Sequence, residues 1–262
     1  MQKNSAKKRP AVPAPPAQLR TRDPERTKAD ILAIAVEEFA AKGLSGARID
    51  EIAARTRTSK LMIYYYFGGK EELYLSALEE VYRRFRNIET GLDLDHLSPE
   101  LALRSLVGFT FDHHHAHPDY IRLIMNENLH NGVYLRRSAI IQELNVPAID
   151  AIRRILDRGV EEGLFRPGID PVDLHMTISA LCFFNVSNRH TFGTIFKKDM
   201  ESSEALAGRR ASISDIILAS VRTSPPARSG RPKRLGPKRL GPKRLGPKRA
   251  RAPSAARSRP AR

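Results

Sequence analysis

Residues 48–73 read RIDEIAARTRTSKLMIYYYFGGKEEL and contain two short helical patterns separated by a tight turn. The first pattern places apolar residues at positions 49, 52 and 53 on one face, and the second places Ile63 and Phe67 four residues apart. The outer face of the second pattern carries hydrogen-bond donors and aromatic rings, which suit phosphates and base edges. The segment therefore predicts a helix-turn-helix, with an ordinary buried helical hairpin as the alternative.

The sequence on either side of this segment predicts further helices. Several segments open with a residue that can cap a helix, followed by a proline at the first helical position. These starts are Asp23-Pro24, Ser98-Pro99, His117-Pro118 and Asp170-Pro171. Residues 134–162 also have a helical period, and Pro147 within them predicts a kink or a break. Residues 203–222 form the last amphipathic segment, so the pattern as a whole predicts an all-α body.

Charge is unevenly distributed along the 262 residues. The 45 Lys and Arg residues against 29 Asp and Glu residues give a formal net charge of +16. Residues 1–22 hold six basic and no acidic residues, and residues 222–262 hold fifteen basic and no acidic ones. Both ends are rich in proline, and Pro-Lys-Arg-Leu-Gly units begin at positions 232, 237 and 242. We expect disordered basic arms at 1–22 and 224–262, attracted to nucleic acid or to an anionic membrane surface.

The single cysteine, Cys182, cannot form an intrachain disulfide, and its apolar surroundings predict a buried side chain in a reducing compartment. Prolines follow the basic N-terminal residues where a signal peptide would need an apolar run. The longest uncharged stretch in the second half, residues 174–188, is too short for a membrane span. We therefore expect a cytoplasmic protein without a transmembrane helix.

Three runs of residues 52–73 carry a resemblance to a known family. Ile52 to Arg55, the pair Ser59-Lys60, and Ile63 to Leu73 resemble the signature of the TetR family of transcriptional regulators. The resemblance implies a helix-turn-helix DNA-binding domain at 23–68 and a helical effector-binding and dimerisation domain at 69–223. It also implies a homodimer on a palindromic operator and no cofactor. The C-terminal region is similar to the subgroup that contains the pyrimidine-utilisation and nicotinate-degradation regulators, which implies a small heteroaromatic effector.

The resemblance also assigns DNA-binding positions. In this sequence they are Arg48, Thr58, Ser59, Lys60, Leu61, Met62, Tyr64, Tyr65 and Lys70. The family's turn glycine is replaced here by Arg57, so we expect either a left-handed backbone at Arg57 or a variant turn. Apolar Leu61 and Met62 stand where smaller or more polar residues are usual, and thymine methyl groups suit them as partners.

Candidate effector ligands come from polar or aromatic residues in apolar helices: Phe109, His113, Asn126, Asn185, Asn188 and Arg189. His113 and His117 share a helical face, and three interpretations are open: a metal site, a solvated or partly buried histidine patch, or a pocket wall formed by His113. The positions 185, 188 and 189 form a polar stripe that we place within one helix. It contacts either the effector or the dimer partner.

Apolar positions in the last two long segments suit a four-helix dimer core: Leu174, Ile178, Leu181, Ile213, Ile216, Ile217 and Val221. The alternative is a core within one chain. No nucleophile elbow, phosphate-binding loop, paired-cysteine motif or metal-ligand spacing occurs, so we expect no catalytic residues and no metal site.

These patterns predict a ligand-responsive DNA-binding regulator, a repressor released from its operator by a small metabolite. The alternative is an architectural DNA-binding protein that acts mainly through its basic tails, and an enzyme is disfavoured.

Overall fold

The computed structural model of the chain describes residues 23–223, and the predictions for the two basic arms lie outside this range. All regular elements within it are helical, with one isolated bridge between Phe165 and Arg222, so the all-α expectation is confirmed. The elements are α1 (Pro24–Gly46), α2 (Ile49–Thr56), α3 (Lys60–Phe67), α4 (Lys70–Thr90), α5 (Pro99–Ala116), α6 (Pro118–Leu129), a 3-10 turn (Leu135–Arg137), α7 (Ala139–Glu161), α8 (Pro171–Ser187), α9 (Arg189–Phe196) and α10 (Ser203–Val221).

The predicted proline starts are found at α1, α5, α6 and α8, each of which begins at a proline. At α8 the carboxylate of Asp170 accepts hydrogen bonds from the backbone N–H groups of Val172 and Asp173. At α1 the carboxylate of Asp23 accepts one from Glu25 at 3.0 Å. These bonds satisfy N–H groups that have no partner within the helix, so the chain enters both helices at a defined residue.

Of the kink or break expected at Pro147, the break does not occur, because α7 continues through the proline from Ala139 to Glu161. Pro147 lacks the N–H that would bond to the carbonyl of Glu143, a local cost of about 3 kcal/mol. The helix persists because its inner face is buried on both sides of the proline, with Ile141 and Ile152 each at most 5% exposed. Burial of such side chains stabilises by roughly 1.5–3 kcal/mol each, which outweighs one missing bond.

Two apolar cores hold the helices together. The first joins α1, α2, α3 and α4 with α6, and the ring of Phe39 meets the ring of Tyr74 edge to face at 5.2 Å within it. The second joins α5, α7, α8 and α10. Because Ile121 and Leu123 of α6 belong to the first core, that core extends past the predicted domain boundary at residue 68. Movement of α6 must therefore disturb the packing of the helix-turn-helix.

None of the helices within residues 23–223 is both long enough and apolar enough to cross a membrane.

Candidate nucleic-acid interface and effector site

The turn between α2 and α3 is made by Arg57, whose backbone is left-handed with φ 53° and ψ 38°. Of the two geometries expected for this position, the structure contains the left-handed one. The backbone N–H of Arg57 donates to the carbonyl of Ala54 at 3.2 Å, and that of Thr58 donates to Ala53 at 3.0 Å. These two bonds close the end of α2 in the manner of a helix C-terminal cap. They fix the direction in which α3 leaves the turn.

Helix α3 presents one buried and one exposed face. Ile63 and Phe67 are at most 8% exposed and pack in the first core, as their spacing predicts. The hydroxyl of Ser59 accepts a hydrogen bond from the backbone N–H of Met62 at 3.2 Å, so Ser59 caps the helix. Leu61 and Tyr65 are each 79% exposed on the opposite face. The helix is therefore anchored on one side and open to a partner on the other.

The cations beside α3 share one aspartate. The Lys60 ammonium forms an ion pair with Asp50, and the Arg48 guanidinium lies 3.7 Å from the same carboxylate. All three side chains are well exposed. The structure thus brings Arg48 and Lys60 together at the start of α2 and α3, with Asp50 compensating part of their charge.

A second anchor holds the start of α2. Burial raises the pKa of the Glu38 carboxyl, but hydrogen bonds from Lys42 and from the backbone N–H of Arg48 outweigh it and lower that pKa. The ionised carboxylate accepts the Arg48 N–H at 3.2 Å. At the other end of the motif, the Lys70 ammonium at the start of α4 donates to the carbonyl of Ser45 at 3.4 Å. Thr58 is half-buried, and its hydroxyl lies 3.0 Å from that of Thr56.

A cluster of aromatic rings lies where α4, α5 and α6 meet. Phe85 stacks on Phe109 with ring centroids 5.5 Å apart and planes 15° from parallel. His113 lies 4.6 Å from the Phe85 ring, and Tyr120 lies 5.4 Å from it. We call these four residues, together with His114, the aromatic cluster. It contains two of the predicted effector ligands, Phe109 and His113.

The histidines of the aromatic cluster are buried and neutral. Burial, assisted by the nearby His117 and Arg86, lowers the pKa of His113 to about 4. Burial likewise lowers the pKa of His114 to about 3. The Nδ1 atoms of both rings are buried without a hydrogen-bond partner among the described residues. No group of His, Cys, Asp and Glu side chains in residues 23–223 is arranged to hold a metal ion.

Sequence reasoning missed a buried ion pair beneath this cluster. Arg86 is 4% exposed and pairs with Glu89, which is 7% exposed. The Arg86 guanidinium lies 4.7 Å from the centre of the Phe85 ring and donates to the side-chain carbonyl of Asn145 on α7 at 3.0 Å. Helical periodicity assigns the charged residues of α4 to the face exposed to solvent. The only sequence signal for a buried Arg86 is its position next to Phe85, which lies on the inner face.

The predicted ligand Asn126 lies at the contact between α6 and α1. Its side-chain amide donates to the carbonyl of Phe39 at 3.4 Å, next to the kink that Gly43 makes in α1 with φ 67°. The neighbouring Glu127 is fully buried, and its carboxylate accepts the backbone N–H of Tyr134 at 2.8 Å. Helix α6 is therefore tied to α1 on one side and to the segment before α7 on the other.

The remaining predicted ligands lie on α8 and at its junction with α9. Asn185 is 3% exposed and lines an open groove of about 690 Å³ between α8, α9 and α10. The polar stripe expected within one helix is wrong, because α8 ends at Ser187 and Asn188 forms the junction with α9. A backbone change at this junction breaks the helical spacing on which the stripe depended. Arg189 instead forms an ion pair with Glu201 at 3.3 Å.

Most of the predicted dimer residues are buried within one chain. Five of these residues belong to the second core, and each is at most 5% exposed: Leu174, Ile178, Ile213, Ile217 and Val221. The structure thus places them in the intrachain core, which was the other interpretation of their pattern. Leu181 is half-buried, whereas Ile216 is 47% exposed. Only the last two have side-chain surface available to a partner.

Comparison with known proteins matches both parts of the described chain. Residues 31–77 match the model of bacterial regulatory proteins of the tetR family, and residues 99–217 match a tetracyclin repressor-like C-terminal domain. The chain is 38% identical over 204 residues to the HTH-type transcriptional repressor NicS of Pseudomonas putida, covering 78% of this chain and 96% of that relative. It is 39% identical over 140 residues to the repressor SCO4008 of Streptomyces coelicolor, covering 53% and 69%.

A solved structure agrees with the fold. The putative transcriptional regulator SCO4942 of Streptomyces coelicolor superimposes with a TM-score of 0.56 and 29% identity, covering 74% of this chain and 98% of that one. The resemblance seen in residues 52–73 is therefore confirmed by its relatives, which are transcriptional regulators. The chain belongs to the TetR family of bacterial regulatory proteins and is a DNA-binding transcriptional regulator.

Proposed function

We propose that the protein is a homodimeric repressor that binds a palindromic operator through α3 and leaves it when a small aromatic metabolite enters the aromatic cluster. The observation that carries this proposal is that the cluster includes Phe85 of α4, a helix that begins three residues after α3 ends. Two similar proteins are named repressors, which supports repression rather than activation. Because the proposed target is DNA, we place the protein in the bacterial cytoplasm.

Two helices connect the aromatic cluster with the DNA-binding surface. Helix α4 carries Phe85 in the cluster and Lys70 at its start. Helix α6 carries Tyr120 in the cluster and holds Asn126 against the carbonyl of Phe39 on α1. An effector that prefers a displaced arrangement of these helices weakens DNA affinity by the difference in its binding free energy between the two states.

The chemistry of the cluster favours a flat ring with hydrogen-bonding edges. Phe85 and Phe109 already stack on each other, and a flat ring can extend this stack. The unpartnered Nδ1 atoms of His113 and His114 belong to neutral imidazoles, and each can donate or accept according to its tautomer. A heteroaromatic metabolite supplies matching edge groups. The cation of Arg86 is already neutralised by Glu89, so the ligand needs no negative charge.

We place the dimer contact on the exposed faces of α8 and α10. Exposed residues recur every four positions along α8, at Val172, Met176, Ala180 and Phe184. Ile216 is exposed on α10, which packs beside α8. A second copy of the chain can bury this stripe, and a two-fold dimer presents its two recognition helices to the two halves of a palindrome.

The experiment uses full-length protein and a panel of pyridine and pyrimidine compounds. Operator fragments are first selected from random duplex DNA, and each compound is then tested for release of the selected duplex. We expect Phe109→Ala to lower the affinity of a releasing compound at least tenfold and to keep operator binding. Phe192→Ala, a half-buried phenylalanine in the open groove, serves as the matched control. If Phe192→Ala rather than Phe109→Ala abolishes release, the aromatic cluster is not the effector site.

A further inference from the structure

The exposed end of α3 is apolar. Leu61 and Tyr65 are each 79% exposed and Met62 is 40% exposed. Together with Ser59 these side chains line a shallow hollow of about 280 Å³ on the outer face of the helix. Single exposed apolar residues are common on protein surfaces, but three in one contiguous patch indicate a binding surface.

Two polar groups at this end, those of Ser59 and Lys60, are already engaged. The Ser59 hydroxyl accepts the Met62 N–H, and the Lys60 ammonium pairs with Asp50. A guanine edge is normally read by a free arginine or lysine, and an adenine edge by asparagine or glutamine. Residues 59–67 contain no arginine, asparagine or glutamine, and their one lysine, Lys60, is paired with Asp50. The outward surface of the helix is thus poorly suited to bidentate hydrogen bonding.

One base in the major groove offers an apolar group, because only thymine carries a C5-methyl there. We infer that Leu61 and Met62 read thymine methyl groups, so that each operator half-site carries thymines beneath the start of α3. This inference rests on the proposed function. Leu61 and Met62 are neighbours in one α-helix, so their side chains leave it about 100° apart around its axis. The two side chains can therefore reach different base pairs, and Tyr65 extends the apolar wall on the side of Leu61 by one helical turn.

The test removes one methyl group at a time. Full-length protein selects binding sites from a random duplex library, and each thymine of the selected site is then replaced by deoxyuridine, which lacks only that methyl. We expect thymines under α3 to be enriched in the selected half-sites. We also expect each replacement there to weaken binding about fourfold, the effect of one buried methyl-sized group. Replacement at thymines outside the half-sites should leave affinity unchanged.

Variants link the methyl effect to the two side chains. Leu61→Ala or Met62→Ala should bring the affinity ratio of thymine to deoxyuridine duplexes toward one at the position that each side chain covers. Leu129→Ala is the matched control, because Leu129 is also 79% exposed but lies at the end of α6. It should keep the full ratio. Because Leu61 and Met62 are largely exposed, thermal unfolding should show that both variants fold normally.

The possible results separate the two proposals. If no sequence is selected, the proposed function fails. If a sequence is selected but deoxyuridine is tolerated at every position, operator binding stands and methyl reading is overturned. It is equally overturned if the methyl effect persists unchanged in both alanine variants.

Discussion

Asp50 compensates two cations at the edge of the DNA-binding surface, since both Lys60 and Arg48 lie against its carboxylate. We expect Asp50→Asn to raise affinity for all DNA sequences. It should also steepen the dependence of log affinity on log salt by roughly one unit per cation released. Titration of selected and scrambled duplexes at several salt concentrations measures both. Asp157→Asn, an exposed aspartate on α7, is the control. An unchanged salt slope in Asp50→Asn would show that neither cation reaches a phosphate.

The buried histidines make folding stability depend on pH. Their pKa values in the folded protein, about 4 for His113 and about 3 for His114, lie below the usual value of 6.5. The unfolded chain therefore binds protons that the folded chain excludes as the pH falls below 6.5. We expect stability to drop by roughly 1 kcal/mol per histidine between pH 6.5 and 5.5, a window above the titration of ordinary carboxylates.

Urea unfolding at pH 7.5 and 5.5 tests this linkage. His114→Phe keeps an aromatic ring in the cluster and should lose part of the pH dependence. His96→Gln should retain all of it, because the His96 side chain is 85% exposed. An equal pH dependence in all three proteins would contradict the assignment.

Single residues also mark where sequence reasoning succeeded. The inner face of α3 follows from the spacing of Ile63 and Phe67, because helical period and burial are linked locally. The partnership of Arg86 and Glu89 beneath Phe85 depends instead on how α4 packs against α7, which local spacing does not determine. The DNA-binding role of the exposed side chains on α3 stays a prediction.

At the scale of elements, helix starts were predictable because a cap and a proline act within four residues, as at Asp170 and Pro171. The continuity of α7 was not, because long-range burial on both sides of Pro147 decides it. Long-range packing also decides where the apolar faces of α8 and α10 are buried. Periodicity identified an apolar face, and only packing against α5 and α7 decides that Ile178 and Ile217 belong to one chain rather than two.

The interior proline of α7 is predicted to lower stability. Pro147 is exposed, so Pro147→Ala removes little packing and restores the N–H that can bond to the carbonyl of Glu143. We expect the free energy of unfolding to rise by roughly 1–3 kcal/mol in urea titrations. Pro171→Ala, at the first position of α8, should change it far less, because no helical bond is missing there. A loss of stability in Pro147→Ala would mean that the ring itself supports α7.

At the scale of the whole molecule, the proposed dimer face and the intrachain core can be told apart by paired substitutions. Met176 is 62% exposed on α8, so Met176→Asp should give a folded monomer with normal helical content. Ile217 is fully buried, and Ile217→Asp should unfold the domain, since an unpaired buried carboxylate costs several kcal/mol. Sedimentation and circular dichroism distinguish these results. A Met176→Asp protein that remains a dimer would place the interface elsewhere.

Removal of residues after Thr223 tests whether the basic C-terminal segment or the folded body selects DNA. Fourteen basic residues and no acidic ones are lost. We expect weaker binding to every duplex and a flatter salt slope, with the preference for selected over scrambled DNA retained. Binding assays on both duplexes at several salt concentrations give the answer. If the shortened protein shows no preference for selected over scrambled DNA at any salt concentration, the folded body does not recognise the sequence. That result would support the architectural alternative.

The division of α3 into a buried and an exposed face affects how such a regulator can diverge. Leu61, Met62 and Tyr65 contribute little to the core, so substitutions at these positions should alter folding stability by less than about 0.5 kcal/mol. A duplicated gene can therefore acquire a new target sequence by a few surface mutations while inheriting an intact sensor. The same freedom lets an engineer build sets of regulators that answer one inducer yet ignore one another's promoters.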